Sequence, residues 1–286
     1  MGIDSGTGTG QGAGTGAGAV EAAAERFIEG LLTQTARFAD AVRDGDPDAT
    51  VPTCPDWALR QLTAHVGQAH RWGAAIVRTG RPDAVPDPAQ ADPGEPAAWA
   101  DWLNTGAAEL AAAVRDIGPA TVVWTLVGER PAAFWPRRML HDTSVHYADA
   151  LLTGVGAGAD TSAGLGYAID ADLAADALNE LLEIAGTPAA VAALPGFAQL
   201  RGEGQTLSLR PDETSVPGWL VTRTPEGVSW RHVPAADPAP EADVTVSGPV
   251  ADVMLVLARR LPADSPAVKI TGDRALVDHW LSHTAL

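Results

Sequence analysis

Apolar residues recur through the first half of the chain at helical spacing. In residues 20–43, Phe27, Leu31, Phe38 and Val42 fall at i, i+4, i+11 and i+15, on one face of a helix. Asp44-Gly45-Asp46-Pro47 ends that stretch. Pro55 and Asp56 are helix-start residues, and Ala58, Leu62, His65, Ala69 and Trp72 then line one stripe of a second helix running to about Arg78. A third helix is predicted over 97–116, with Trp99, Trp102, Leu103, Leu110 and Val114 inward and Gly118-Pro119 as its stop. Residues 137–153 contain neither Pro nor Gly, and Met139, Val145 and Leu152 supply the apolar side of a fourth. Thr79–Pro96 reads as a long loop and Thr121–Val127 as a short extended piece. Four helices with one apolar face each predict an all-α four-helix bundle over residues 20–153.

The pattern then changes. Residues 154–166 form a Gly/Ala-rich linker, and Asp170–Ala185 is helical. Thr206–Arg210, Trp219–Arg223, Val228–His232 and Val244–Ser247 are short, alternating, turn-bounded strands. Gly248-Pro249 opens a helix through Arg260, Val268–Thr271 is a last strand and Asp273–Leu281 a last helix. Residues 167–286 are therefore expected to form a separate α+β domain. Residues 1–19, rich in Gly, Thr and Ala, are expected to be a disordered tail.

Charge narrows the partners. The formal net charge is −17, which argues against nucleic acid and anionic membrane surfaces. No apolar run approaches the roughly 18 residues of a membrane span, and residues 1–19 lack the basic and apolar segments of a signal peptide. A cytoplasmic protein is expected. Lys269 is the only lysine, so anion recognition would fall to Arg, with Arg71, Arg78, Arg137 and Arg138 as candidate clamps or plain surface residues. The single cysteine, Cys54, excludes an internal disulfide and a Cys-based zinc cluster. It reads as a small packing residue, with a thiol activated near a helix start as the alternative. Trp57 reads as a packing residue.

The fourth helix carries the candidate chemistry. Asp142 and His146 at i, i+4 share a face, and Asp149 lies a turn further along it. A carboxylate and an imidazole so spaced can grip one divalent ion, given a further ligand from elsewhere. A hydrogen-bonded pair explains the same spacing. His65 points inward from the second helix, as a ligand or as a satisfied core histidine. His70, about 140° around that helix, cannot join it in a ligand pair.

Three segments together resemble the mycothiol-dependent maleylpyruvate isomerase family, a branch of the DinB-like metal-binding bundles. They are Val51-Pro52-Thr53-Cys54-Pro55-Asp56-Trp57 with Leu62-Thr63-Ala64-His65; His141 through Asp149; and Asp243 through Pro249 with Gly272-Asp273-Arg274-Ala275-Leu276. The resemblance implies a DinB-like bundle joined to a sterol-carrier-like α+β domain. It implies a zinc ion held by His65, Asp142 and His146, and mycothiol as thiol cosubstrate attacking a small electrophile. Cis-trans isomerisation, as in the family, or S-transfer would follow; a ligand carrier or interaction module is the non-enzymatic alternative. Asp149 is then the candidate catalytic residue, positioning the thiol or acting as base, or else hydrogen-bonding a ligand histidine. The family usually has Glu where this chain has Asp142.

Overall fold

The computed structural model describes residues 13–81, 91–155 and 160–284. Helices α1 (Ala13–Val42), α2 (Leu59–Thr79), α3 (Trp99–Ile117) and α4 (Phe134–Val155) form the expected bundle, α1 packing along α4 and α2 along α3. Ile28, Leu31, Leu110, Trp135 and Leu140 fill its lower core, each at most 1% exposed. The α2–α3 approach is close at Gly67, where an added methyl would stand 1.9 Å from Trp102 Cζ3.

Two boundaries differ from expectation. Helix α1 starts at Ala13, inside the stretch expected to be a tail; a helix anchored by Ala24, Ile28 and Leu31 gains one hydrogen bond for each residue it extends. Residues 1–12 of that tail lie outside the described residues, as do 82–90 of the long loop and 156–159 of the linker. Pro55 and Asp56 do not open the second helix. They lie in strand β2 (Cys54–Ala58), which pairs antiparallel with β1 (Thr50–Val51). The helix begins after Ala58, whose amide is caught by the Gln61 side chain at 2.7 Å. This extended entry carries Thr53, Cys54 and Trp57 across the end of α4. The extended piece after α3 is a small hairpin of β3 (Val122–Val123) and β4 (Arg130–Pro131).

The linker contains a short helix, α5 (Ser162–Leu165), capped by Thr161 and tied to the second domain by Ser162, which donates to buried Asp252. Then come α6 (Ala171–Ala185), α7 (Pro188–Ala193) and a 3₁₀ segment at Pro195–Leu200, the last two without a periodic signal in the sequence. Strands β5 (Thr206–Pro211), β6 (Gly218–Thr224), β7 (Gly227–Val233), β8 (Val244–Gly248) and β9 (Lys269–Gly272) form one five-stranded sheet. Its order is β7-β6-β5-β8-β9, with only β5–β8 parallel. Helices α8 (Val250–Leu257) and α9 (Arg274–His283) complete the α+β domain. Its strands stand where alternation placed them. The apolar core does not stop at the linker: Phe38, Leu62 and Tyr147 of the bundle belong to the same buried cluster as Leu178, Val246 and Trp280. The two domains are thereby held against each other by burial.

Candidate metal centre

The upper end of the bundle gathers three possible ligands. His65 of α2 and Asp142 and His146 of α4 present donor atoms that all lie within 4.8 Å of one another. His65 Nε2 stands 3.6 Å from Asp142 Oδ2 and His146 Nε2 3.9 Å from the same oxygen. Both exceed a hydrogen bond. Donors sharing one tetrahedral ion at about 2.1 Å would be roughly 3.4 Å apart, so a small closure would seat a divalent cation. The donor set fits as well, with two imidazoles and one carboxylate and no sulfur. The His65 and His146 rings meet edge to face at 5.0 Å, and Trp57 covers both, 4.8 Å from the first and 6.0 Å from the second.

Two of the three donors are oriented from behind. Asp149, fully buried, stands 2.8 Å from His146 Nδ1, which fixes the ring and leaves Nε2 toward the centre. Arg260 grips the same carboxylate twice, Nε to Oδ1 at 2.9 Å and Nη2 to Oδ2 at 3.0 Å, and Thr53 donates to Oδ1. Burial alone would raise the Asp149 carboxyl, but its bonds with His146 and Arg260 outweigh that and bring it to about 2. Behind Asp142 stands Arg138, one turn earlier, donating to Oδ1 at 2.8 Å. Only Oδ2 then faces the histidines. Burial opposes the charge on Asp142 as well; pairing with His65 and the charges of His146 and Arg138 hold it well below the usual carboxylate range.

The second domain supplies the rest. Arg138 also donates to Glu180 of α6, itself 4% exposed. His141 lies between Glu180 and Asp176, 3.0 and 3.2 Å away, and Arg137 pairs with Asp176 and Glu183. Arg260 reaches the bundle because α8 ends in a Schellman turn. Arg259 takes the left-handed conformation at φ 63°, its amide bonds Val256 O, and the Arg260 amide bonds Leu255 O. A side-chain-bearing residue there is strained, and the strain sits beside the candidate site. Between α4, α6 and the end of α8 a cleft opens onto Asp142 and His146.

The four arginines expected as clamps are otherwise engaged. Arg71 bonds the carbonyls of Gly67 and Trp102 and stacks on the Trp102 ring; Arg78 bonds Glu109 O. Arg137 and Arg138 are neutralised by the acidic groups just named. The Cys54 thiol is not activated: burial, then the Asp149 charge, push its pKa up against the pull of Arg260. His70 is buried against Thr143 at 2.8 Å, and burial lowers its pKa to about 4. It takes no part in the cluster, as its position on the helix required. Sequence reasoning missed Arg260, Glu180 and Thr53, which join the site only through tertiary contacts, and it gave Trp57 a packing role although it walls the centre.

Comparison with protein families follows the same division. The Mycothiol maleylpyruvate isomerase N-terminal domain matches residues 28–151, and the MDMPI C-terminal domain matches residues 172–279. The chain belongs to the mycothiol maleylpyruvate isomerase family. Crystal structures of a mycothiol-dependent maleylpyruvate isomerase, and of its histidine-to-alanine mutant, superpose with TM-scores of 0.52 and 0.53 at 21% and 20% identity. Each alignment covers 87% of this chain and 92% of that one, so both domains and their order are shared. No curated protein matches the chain. As a member of this family the chain keeps the bundle and the α+β domain, and among its described residues no helix is long and apolar enough to cross a membrane.

Proposed function

We propose that this family member is a metal-dependent enzyme that uses mycothiol against a small electrophile, by cis-trans isomerisation or by S-transfer. The observation that carries the reading is the convergence of His65, Asp142 and His146 on one point, with Asp142 and His146 lining the interdomain cleft. His65 Nε2, His146 Nε2 and Asp142 Oδ2 would hold the ion, zinc by the chemistry of the donors. Bound there, the ion would supply the positive charge that keeps a low-molecular-weight thiol deprotonated at neutral pH. Three protein donors leave room for an exogenous one, as in catalytic rather than structural sites.

The chain's own residues do the positioning. Asp149 holds the His146 ring through Nδ1, and since its oxygens already serve His146, Arg260 and Thr53, it orients rather than exchanges protons. Arg138 presents Asp142 through a single oxygen. Trp57 shields the histidines on one side, and the cleft admits the electrophile on the other. A thiolate held in such a place is a nucleophile in want of an electrophile, and both reaction types begin with its attack.

The test is native mass spectrometry with elemental analysis of the full chain, with and without mycothiol. One divalent ion per chain and a mycothiol adduct are expected, with both diminished in His65→Ala. Stoichiometric metal in that variant would remove the assignment, because a three-donor site does not keep its ion after losing one donor. Metal binding without mycothiol-dependent turnover would favour the carrier or interaction-module reading.

A further inference from the structure

The three candidate donors are not held alike. Asp142 has Arg138 behind it, and His146 has Asp149. A ligand imidazole ordinarily gives its second ring N–H to a carboxylate, a carbonyl or water, and that bond fixes the rotation of the ring. His65 has no hydrogen-bonded partner among the described residues. Asp142 Oδ2 stands 3.6 Å from its Nε2, beyond hydrogen-bond reach, and 34% of the side chain is exposed. Rings take the place of the missing bond. The Trp57 indole lies 4.8 Å from the His65 imidazole with 44° between the planes, and the His146 ring meets it edge to face at 5.0 Å. His146 is itself a candidate ligand, so Trp57 is the ring contact that belongs to the frame of the site.

Trp57 can serve as a frame because its strand is pinned on both sides. Before it, Val51 is fully buried and Thr53 donates to Asp149. After it, the Ala58 amide donates to Gln61 Oε1 at 2.7 Å and the Leu59 amide to Ala49 O at 2.9 Å. An imidazole free to turn would have to be ordered around an ion at the moment of binding, a cost that pre-positioning removes. We propose that Trp57 is the positioning residue of His65, its indole holding the imidazole with Nε2 toward Asp142 Oδ2, in the role that a carboxylate plays for His146. This deepens the metal-dependent reading above and rests on it. Through Thr53, the carboxylate that orients His146 also steadies the strand that holds His65.

The test uses the full chain with Trp57→Leu, which keeps an apolar side chain without a ring, and Trp57→Phe, which keeps a ring. Zinc affinity is read by chelator competition. The histidine ring resonances of the metal-free chain are read by nuclear magnetic resonance, with His65 assigned from its loss in His65→Ala. Trp57→Leu is expected to weaken zinc binding by about five- to tenfold and Trp57→Phe by no more than about twofold, in line with the worth of one aromatic contact. In the His65→Ala background, Trp57→Leu is expected to leave the residual affinity of Asp142 and His146 unchanged, because its effect runs through His65. The His65 resonance of the native chain is expected to be displaced from the ordinary imidazole position by the indole ring current, a comparison that needs no substitution at Trp57. Unchanged affinity in Trp57→Leu, equal losses in the two variants, or the same loss without His65 would overturn the proposal; the last would assign Trp57 to shielding the centre instead. A native chain that binds no zinc while its His65 resonance is displaced would sink the metal reading and leave the ring contact standing. Zinc binding with an undisplaced His65 resonance would do the reverse.

Discussion

Replacing Glu180 by Gln removes one charge from the contact between the domains and hardly changes the side-chain volume. In the native chain this carboxylate is 4% exposed, receives a bond from Arg138 and lies 3.0 Å from His141 Nδ1. Burial pushes its pKa up, but the charges of Arg138 and His141 outweigh that and hold it at about 2, against an ordinary 4.5. At about 1.4 kcal/mol for each tenfold change, such a depression corresponds to about 3 kcal/mol of folding stability. Breaking a buried pair by removing one partner costs about 3–5 kcal/mol. The two figures describe one interaction and are not to be added. Because the folded-state value is depressed, the contribution is complete above the unfolded value of 4.5 and is lost as pH falls toward 2. About 1.5 kcal/mol should remain at pH 3. Urea unfolding followed by far-ultraviolet circular dichroism, for both proteins at pH 7 and pH 3, reads the difference. A cost under about 1 kcal/mol at pH 7, or the same cost at both pH values, would refute the ion-pair reasoning.

Asp149→Asn should lower zinc affinity by about 10–100-fold in a chelator competition, because His146 loses its charged orienting partner; an unchanged affinity would mean that the ring is held by other contacts. Asp142→Glu should weaken metal binding, since a longer carboxylate overshoots the position that Arg138 fixes; tighter binding would show instead that a water intervenes between Asp142 and the ion. Leu31→Ala, at a fully buried position between helices, should cost about 2–5 kcal/mol by thermal or urea unfolding, and a cost below 1 kcal/mol would misplace it in the core.

What could be read from the sequence was what local periodicity determines. The bundle helices announced themselves through Phe27, Leu31, Phe38 and Val42 and their counterparts, and the strands of the second domain through alternation. The i, i+4 relation of Asp142 and His146 is a property of one helix, so it needed no fold. His65 lies 77 positions earlier, and only the resemblance linked it to them. Arg260 was out of reach for a different reason. A Schellman turn is normally signalled by Gly, and here Arg259 occupies the left-handed position, so nothing local announced the end of α8 or the direction of the next side chain. The helix start at Pro55 and Asp56 was misread because both residues suit a helix N-terminus, whereas pairing of Thr50–Val51 with Cys54–Ala58 draws them into extended backbone. Tertiary pairing overrode local preference there.

The shorter carboxylate at position 142 fits with the rest of this arrangement. A Glu could swing toward either histidine, and its extra rotatable bond would have to be frozen on binding. Asp142 is fixed by its length and by Arg138, which stands one turn away on the same helix and takes Oδ1. Arg138 is in turn held by Glu180, which belongs to the other domain. A line of contacts therefore runs from α6 through Arg138 to the oxygen that faces His65 and His146. A second runs from the end of α8 through Arg260 and Asp149 to His146 Nδ1. The bundle supplies all three donors, yet two of the three are aimed by side chains that the α+β domain holds in place. Pre-organising donors in this way lowers the cost of ordering them around an ion, and it ties the centre to the docking of the two domains. An isolated bundle would keep His65, Asp142 and His146 on the same helices but lose Glu180 and Arg260. Its affinity for metal should then fall even where its helices remain folded.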